Sequence, residues 1–305
     1  MPEVWYEVKR SWRIAVAGLL LLGTGCLAFS AQAVDAESAT PENASTENSA
    51  GNGAGNGTPT SRLNENGDEN GTPTKTPNAH DLIAAVIDLT RGTTSYAELT
   101  MTIHRPDWQR TSSLKAWTRG RGDALIRFTA PAKDAGNATL KLGEKMWTYT
   151  PKLNRVIRLP FSLMSQSWAG SDFSYNDLSR SDKLLHQYTL NLMDQQHKGG
   201  RIIYTIEAIP LDNAPVVWGK EEIVFRDDYV LLSETFFDQE MQPLKRLETL
   251  EIGELGGRTI STRMRMVKLD EKDRWTELSY QQAQFNIKLP DSLFTVFALK
   301  SGMEP

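Results

Sequence analysis

The chain has 305 residues, a net charge of −4 at neutral pH and a pI of about 5.7. This balance lacks the basic excess with which proteins hold nucleic acid, so we expect no nucleic-acid partner. The single cysteine, Cys26, excludes a disulfide within the chain and any metal site built from several thiolates.

The first 33 residues have the pattern of a secretory signal peptide. A basic start precedes an apolar run over residues 14–22, and Ala31 and Ala33 form the small-x-small site that a signal peptidase accepts. The apolar run is too short for a stable membrane span, so we expect cleavage after Ala33 and a secreted mature chain. Cys26 leaves a lipid anchor open as the alternative, although Gly23 occupies the apolar position of the lipobox.

Residues 34–80 are expected to be a disordered, low-complexity linker. Asn, Gly, Thr, Ser, Glu and Pro dominate the stretch, and Leu63 is the only large apolar residue of residues 35–80. So little apolar surface cannot offset the entropy lost on ordering the chain. Seven acidic and two basic residues give residues 35–80 a charge of −5, whereas the domain that follows is neutral overall.

Residues 81–305 are expected to form one β-rich domain that begins with a helix. An apolar stripe from Leu82 to Leu89, which ends before Gly92, predicts that helix. Alternating apolar and polar positions then predict strands. These strands cover residues 96–104, 113–118, 124–129, 139–142, 145–150, 154–159, 187–193, 201–209, 218–226, 230–237, 244–252, 258–268 and 274–285.

Tight-turn dipeptides between these segments predict hairpins, and successive hairpins make an antiparallel meander. A helix is predicted around residues 177–185, between the sixth and seventh strands. The last segment, which starts at Asp291 and Ser292, predicts a short capped helix or tail that docks over the sheet. The turn signals are Gly122-Asp123, Gly199-Gly200, Asp227-Asp228, Asp238-Gln239 and Gly256-Gly257.

The stretch from residue 146 to 178 is dense in aromatic residues and methionines. Trp147 and Tyr149 lie one residue apart, so both rings point to the same face of an extended strand. Residues 161–173 mix large apolar residues with Ser and Gly, which predicts a mobile loop with a short helix. Such side chains on flexible backbone can repack around apolar ligands. The candidate lining and gate residues are Met146, Trp147, Tyr149, Phe161, Leu163, Met164, Trp168 and Phe173.

The same stretch resembles a known family. Its pattern W-x-Y-x-P, then R-x-I-R-L-P, then G-S-D-F-S-Y-x-D-L is similar to the outer-membrane lipoprotein-sorting family of Gram-negative bacteria, the LolA/LolB-like periplasmic carriers. The resemblance covers roughly residues 81–300 and is strongest over 145–178. The matching residues are Trp147, Tyr149, Pro151, Arg155, Arg158, Pro160, Gly170, Ser171, Asp172, Phe173, Tyr175, Asp177 and Leu178.

The resemblance implies a mainly β fold with a few helices, in which an unclosed antiparallel β-barrel has helices plugging its concave face. It further implies a periplasmic carrier that binds acyl chains of a lipid or lipoprotein and passes them towards the outer membrane. An inner-membrane RND-type transporter and an outer-membrane acceptor would be its partners. Arg155 and Arg158 are candidates for contact with a headgroup or partner, with exterior strand charge as the alternative.

An enzyme is not expected. The four histidines, His80, His104, His186 and His197, are far apart and lack metal-ligand spacing, so no metal or cofactor is expected. Ser171 could suggest a nucleophile, but Ser171-Asp172 before Phe173 is better explained as a helix N-cap. The working hypothesis is a carrier whose segment 161–173 swings aside to admit a chain. The alternative is an envelope lipid-sensing or regulatory domain of the same fold that acts through a protein partner.

Overall fold

The computed structural model describes residues 77–305. The predicted signal peptide, its cleavage site at Ala31 and Ala33, the alternative anchor at Cys26 and the predicted linker up to residue 76 lie outside the described residues. In the described part of the chain no helix is long and apolar enough to cross a membrane.

Within residues 77–305, thirteen strands form a single antiparallel sheet, as the alternation predicts. They are β1 (Thr94–Arg105), β2 (Trp108–Arg119), β3 (Asp123–Ala130), β4 (Ala138–Leu142), β5 (Lys145–Thr150), β6 (Arg155–Arg158), β7 (Tyr188–Lys198), β8 (Arg201–Pro210), β9 (Lys220–Arg226), β10 (Leu231–Phe237), β11 (Pro243–Leu255), β12 (Arg258–Lys268) and β13 (Trp275–Phe285).

The sheet consists of two runs of strands that are consecutive in sequence, and the two runs meet at its centre. β1 to β6 are consecutive neighbours, β7 to β13 are consecutive neighbours, and β13 pairs with β1 at the centre. The two edges, β6 and β7, do not pair, so the sheet is not closed. Residues 159–187 therefore connect one open edge to the other, and they contain helix α2 (Tyr175–His186).

Helix α1 (Ala79–Arg91) precedes the sheet and buries the predicted stripe. Leu82, Ile83 and Ile87 are buried, and the Asn78 side chain accepts a hydrogen bond from the His80 N–H at 2.8 Å. Gly92 ends the helix at a φ of 57°, a conformation that glycine adopts without steric cost. The helix starts two residues earlier than Asp81, because Asn78 provides the N-cap.

The two faces of the sheet are covered by different parts of the chain. The inner face, under α1 and α2, carries Leu99 and Leu114, which are paired across β1 and β2. The outer face carries Tyr96 and Trp117, also paired across these strands. Because side chains alternate along a strand, these two pairs point in opposite directions.

The C-terminal segment covers part of the outer face, as predicted. A 3₁₀ turn (Asp291–Leu293) and helix α3 (Val296–Ser301) follow β13, and Thr295 rather than Asp291 caps α3. Leu293, Phe294 and Leu299 pack with Trp117, Leu125 and Leu140 in one buried cluster. Within residues 77–305, helices α1 and α2 lie on the inner face, whereas α3 lies on the opposite side.

We expect Leu293→Ala to lower the free energy of unfolding by about 2–5 kcal/mol, because the fully buried side chain would leave a cavity in the outer-face cluster. Phe297→Ala is the matched control in the same segment, since Phe297 is 70% exposed, and it should cost less than about 0.5 kcal/mol. Urea unfolding of both variants measures the difference. Equal effects would show that the C-terminal segment does not stabilise the sheet.

Candidate functional site

An apolar cavity of about 220 Å³ lies between the inner face and the two helices. Its floor contains a row of three alanines, Ala283, Ala97 and Ala116, which are consecutive cross-strand partners on β13, β1 and β2. Methyl side chains leave space beneath the helices that larger residues would fill. Aliphatic residues complete the floor, namely Leu99, Leu114, Ile126, Ile260 and Leu278.

A second cavity, of about 280 Å³, adjoins the first. The two share Thr90, Arg91, Leu178 and Tyr280 in their walls. The second extends under α1 and α2 over β10 to β13, where its lining includes Leu231, Leu247 and Met264. The inner face therefore carries two neighbouring spaces with mainly apolar walls.

Arg91 is the cation of this region and is held by backbone oxygens. Its Nε and Nη2 donate to the carbonyl oxygens of Gly120 at 2.9 Å and Asp123 at 2.8 Å. Burial lowers the pKa of Arg91, while the nearby Asp182 and Tyr280 act in the opposite direction. Burial also raises the pKa of Tyr280, so its phenol stays neutral. These two groups are the strongest polar features of the shared wall.

Trp168 separates the apolar cavity from a polar groove. The indole lines the 220 Å³ cavity on one side and, on the other, a groove of about 270 Å³ over β3 to β5. Its ring packs against Phe128 with centroids 5.5 Å apart, and its Nε1 donates to Thr139 Oγ1 at 3.1 Å. The Trp168 side chain therefore forms the partition, or dividing wall, between the cavity and the groove, and its indole makes one hydrogen bond.

The backbone around Trp168 is anchored by a buried carboxylate. Both oxygens of Asp172 accept from Arg105, at 3.0 and 3.1 Å, and the Asp172 side chain is fully buried. Thr276 Oγ1 donates to Asp172 at 2.6 Å and Arg274 Nε donates at 3.2 Å. Arg105 also donates to the Gly170 carbonyl at 3.2 Å. Together these bonds fix residues 170–172 to the centre of the sheet, where β1 meets β13.

The next residues of the motif start α2. Ser174 and Asp177 form a capping box, in which each side chain accepts from the backbone N–H of the other residue. Asp177 also forms a buried ion pair with Lys245 of β11. The G-S-D-F-S-Y-x-D-L pattern therefore encodes a junction that is tied to β1, β11 and β13.

This arrangement corrects one expectation from the sequence and adds contacts that the sequence did not indicate. Ser171-Asp172 is not the N-cap, which is Ser174. The mobility expected of residues 161–173 stays a prediction, but Trp168 and Phe173 are buried, and the backbone N–H of Trp168 donates to the Phe173 carbonyl at 2.7 Å. The sequence did not indicate the anchoring of this segment, because the Asp172 partners Arg105 and Arg274 lie 67 and 102 residues away.

The structure does not bring all the predicted lining residues together. Trp168 lines the apolar cavity, and Phe173 packs in the same core cluster. Trp147 and Tyr149 share a face, as predicted, but it is the outer face, where they pack against the C-terminal cluster. Met146 is buried on the other side of β5, because neighbouring residues in a strand point in opposite directions.

The other predicted residues lie near the β6 edge. Met164 and Phe161 line a separate cleft, which Arg158 also borders. Leu163 is half-buried in a 3₁₀ turn (Phe161–Leu163), and Arg155 is exposed on β6. Sequence reasoning missed the floor of the cavity, because alanines in alternating strands carry no distinctive signal.

The described residues contain no cluster of three or more His, Cys, Asp or Glu that could hold a metal ion. His104 pairs with Asp273 at 2.8 Å at an exposed position and stacks on Trp275. Ser171, the residue considered as a nucleophile, donates its hydroxyl to the Trp168 carbonyl at 2.7 Å. Both side chains are thus used in structural contacts.

Comparison with known proteins identifies the fold. A family model that describes its members as uncharacterized proteins matches residues 120–301, which is more than half of the chain. No curated protein matches the chain. Among solved structures, a DUF1329 family protein from Desulfovibrio piger is 23% identical with a TM-score of 0.66, and the match covers 72% of this chain and 97% of that one.

Two further structures agree. A domain provisionally named as an outer membrane lipoprotein-sorting protein, from Vibrio parahaemolyticus, is 23% identical with a TM-score of 0.65 over 73% of this chain and 98% of that one. A LolA superfamily protein from Nitrosomonas europaea is 19% identical with a TM-score of 0.60 over 71% and 97%. The chain therefore has the LolA-like fold, which confirms the unclosed antiparallel half-barrel.

We expect Asp172→Asn to lower the free energy of unfolding by about 3–5 kcal/mol, because it leaves buried guanidinium charge uncompensated. Asp273→Asn is the matched control, since the Asp273 side chain is 64% exposed and its contact with His104 contributes about 0–1 kcal/mol. Chemical unfolding followed by tryptophan fluorescence checks both. If the two substitutions cost the same, the Asp172 network does not anchor the segment.

Proposed function

This chain belongs to the DUF1329-like family of uncharacterized proteins, and from that premise we propose that it is a periplasmic carrier of acyl chains. The cargo would be the chains of a lipid or lipoprotein, bound between the inner face and helices α1 and α2. The proposal needs an apolar space in a LolA-like fold, and the cavity over Ala97, Ala116 and Ala283 is the observation that carries it.

The chemistry of the cavity favours a hydrocarbon ligand. Binding sites for drug-sized ligands enclose roughly 300–1,000 Å³ with mainly apolar walls and a few placed polar groups. The two adjoining cavities, of about 220 and 280 Å³, together fall in this range, with Arg91 and Tyr280 as the polar groups between them. Burial of a methylene contributes about 0.8 kcal/mol, so part of one chain suffices for retention.

Admission of a chain would depend on the Trp168 side chain. The Asp172 network holds the neighbouring backbone, so the indole is the part that can move without breaking buried ion pairs. Its rotation would join the apolar cavity to the groove over β3 to β5. A chain would then leave for an acceptor that buries it better, with no nucleotide involved. This replaces the expected swing of the whole segment 161–173.

The biological setting follows from the resemblance and the relatives. The name of the Vibrio parahaemolyticus domain refers to outer-membrane lipoprotein sorting, which supports transport towards the outer membrane. Export through residues 1–33 would bring the chain to the periplasm. An inner-membrane RND-type transporter as donor and an outer-membrane acceptor complete the proposed route.

Ala116→Leu should weaken binding of a fluorescent fatty acid by roughly tenfold, because the added atoms displace about two methylenes, or about 1.6 kcal/mol. Ala116 lies on the cavity floor, so its added volume enters the ligand space. Ala132→Leu makes the same change at an exposed alanine outside the cavity and should leave the affinity unchanged. Fluorescence titration of full-length protein measures both. Unchanged affinity in Ala116→Leu contradicts acyl binding in this cavity.

A second experiment tests the role of Trp168. Thr139→Val removes the acceptor of the indole N–H at nearly constant shape, so the partition should open more often and probe exchange should accelerate by a factor of about 5–10, equivalent to about 1 kcal/mol. Thr148→Val is the control in the same groove, because Thr148 has no bond to Trp168. Stopped-flow measurement of the rate of probe release compares the two variants. Identical rates would exclude Trp168 as the gate.

A further inference from the structure

A cleft of about 480 Å³ lies where the two open edges of the sheet approach each other. We call it the seam cleft. Residues next to β6 form one side, the start of β7 and the loop after β8 form the other, and α2 lies between them. Its lining comprises Glu144, Lys145, Arg158, Leu159, Pro160, Phe161, Met164, Lys183, Gln187 and Pro215.

The seam cleft is bordered by more positive than negative charge. Lys145, Arg158 and Lys183 lie around it, against the single carboxylate of Glu144. The Glu144 side chain accepts a hydrogen bond from Gln187 Nε2 at 3.5 Å, which links the β4–β5 turn to the start of β7. An anion that enters the cleft would therefore meet a net positive surface.

Lys183 differs from the other buried cations of the described residues. Lys141 donates to Asp182 at 3.0 Å and to the Gly122 carbonyl at 2.7 Å, and Lys245 pairs with Asp177. Arg105 is paired with Asp172, and Arg127 donates to carbonyl oxygens at the end of α3. Lys183 is only 8% exposed, and its ammonium makes no hydrogen bond or ion pair within residues 77–305.

The Lys183 side chain borders the seam cleft, and its ammonium is not fully enclosed. A cation with so little exposed surface and no acceptor from the protein would gain a partner from an anion in the cleft. Burial lowers the pKa of Lys183, while Asp182 and Glu144 act in the opposite direction. The charge also lies in the last turn of α2, where the helix dipole favours a cation. That location explains a positive charge but leaves the donors of the ammonium without a partner.

We propose that the seam cleft binds a phosphate ester, with Lys183 as the inner cation and Arg158 at the rim. Both residue types commonly bind phosphate. Lysine acts as a point charge, and arginine donates two parallel hydrogen bonds. Phe161, which is 55% exposed, and Met164 provide apolar surface beside these charges, which suits the glycerol end of a phospholipid. The seam cleft shares no lining residue with either acyl cavity, so this site is independent of the proposed function.

Calorimetric titration of the full chain tests the site with three probes. Dihexanoylphosphatidylglycerol carries phosphate and short chains, glycerol 3-phosphate carries the phosphate alone, and dihexanoylglycerol carries the chains alone. The first probe should bind, and Lys183→Met should weaken it by roughly tenfold or more, because a charged hydrogen bond contributes about 1.5–3 kcal/mol. Lys198→Gln, an exposed lysine on β7, is the control and should bind as the parent does.

Comparison of the three probes identifies the source of the phosphate. Tighter binding of the lipid than of glycerol 3-phosphate assigns the site to a headgroup, and equal binding assigns it to a free phosphate ester. If dihexanoylglycerol binds as well as the phospholipid, or if Lys183→Met and the parent bind alike, the proposal is wrong. Because Lys183→Met changes a buried position, Arg158→Gln at the exposed rim provides the second test and should also weaken phosphate binding.

Discussion

The open edges of the sheet are the constraint on which the rest of the molecule depends. Since β6 and β7 do not pair, the chain must cross from one edge to the other, and it does so over the inner face through residues 159–187. Beyond Leu159, whose N–H donates to the Met146 carbonyl at 2.9 Å, the described part of this crossing contributes no strand to the sheet. Asp172 supplies the attachment, because its buried carboxylate binds Arg105 at the end of β1 and Thr276 in β13. The crossing is thus attached both to the N-terminal run of strands, through β1, and to the C-terminal run, through β13.

Anchoring the crossing in this way allows the inner face to remain incompletely filled. The helices are fixed at their ends: α2 by its capping box and Lys245, and α1 by Arg258, which donates to the carbonyls of Asp88 and Leu89 at 2.9 and 2.7 Å. The last two residues of α1, Thr90 and Arg91, and Leu178 in the first turn of α2 then border the cavity over the row of alanines. A cavity normally costs stability, and the polar contacts at its margins hold the helices in position around it.

Most of the fold could be predicted from the sequence because its signals are local. Alternation and tight-turn dipeptides predicted each of the thirteen strands within residues 77–305, and the apolar stripe ending at Gly92 predicted α1. The site was harder, because alternation says which residues share a face but not what covers it. Trp147 and Tyr149 share a face that proved to be the outer one. In β4 both faces are buried, so burial could not distinguish them. The ion pairs of Asp172 join positions far apart in sequence, where no local pattern indicates a partner.

A carrier of this architecture could open either by moving the whole crossing segment or by rotating one side chain. A whole loop that opens must break and remake its contacts, and here that would expose the Asp172 carboxylate and two guanidinium groups together. Rotation of the single indole of Trp168 breaks one neutral hydrogen bond and the ring contact with Phe128. The second motion leaves the buried charges in place, so its cost is one neutral hydrogen bond, about 1 kcal/mol, and the apolar contacts of a buried ring, without the several kcal/mol of separating charges. A carrier that must release its cargo to an acceptor is better served by the smaller barrier.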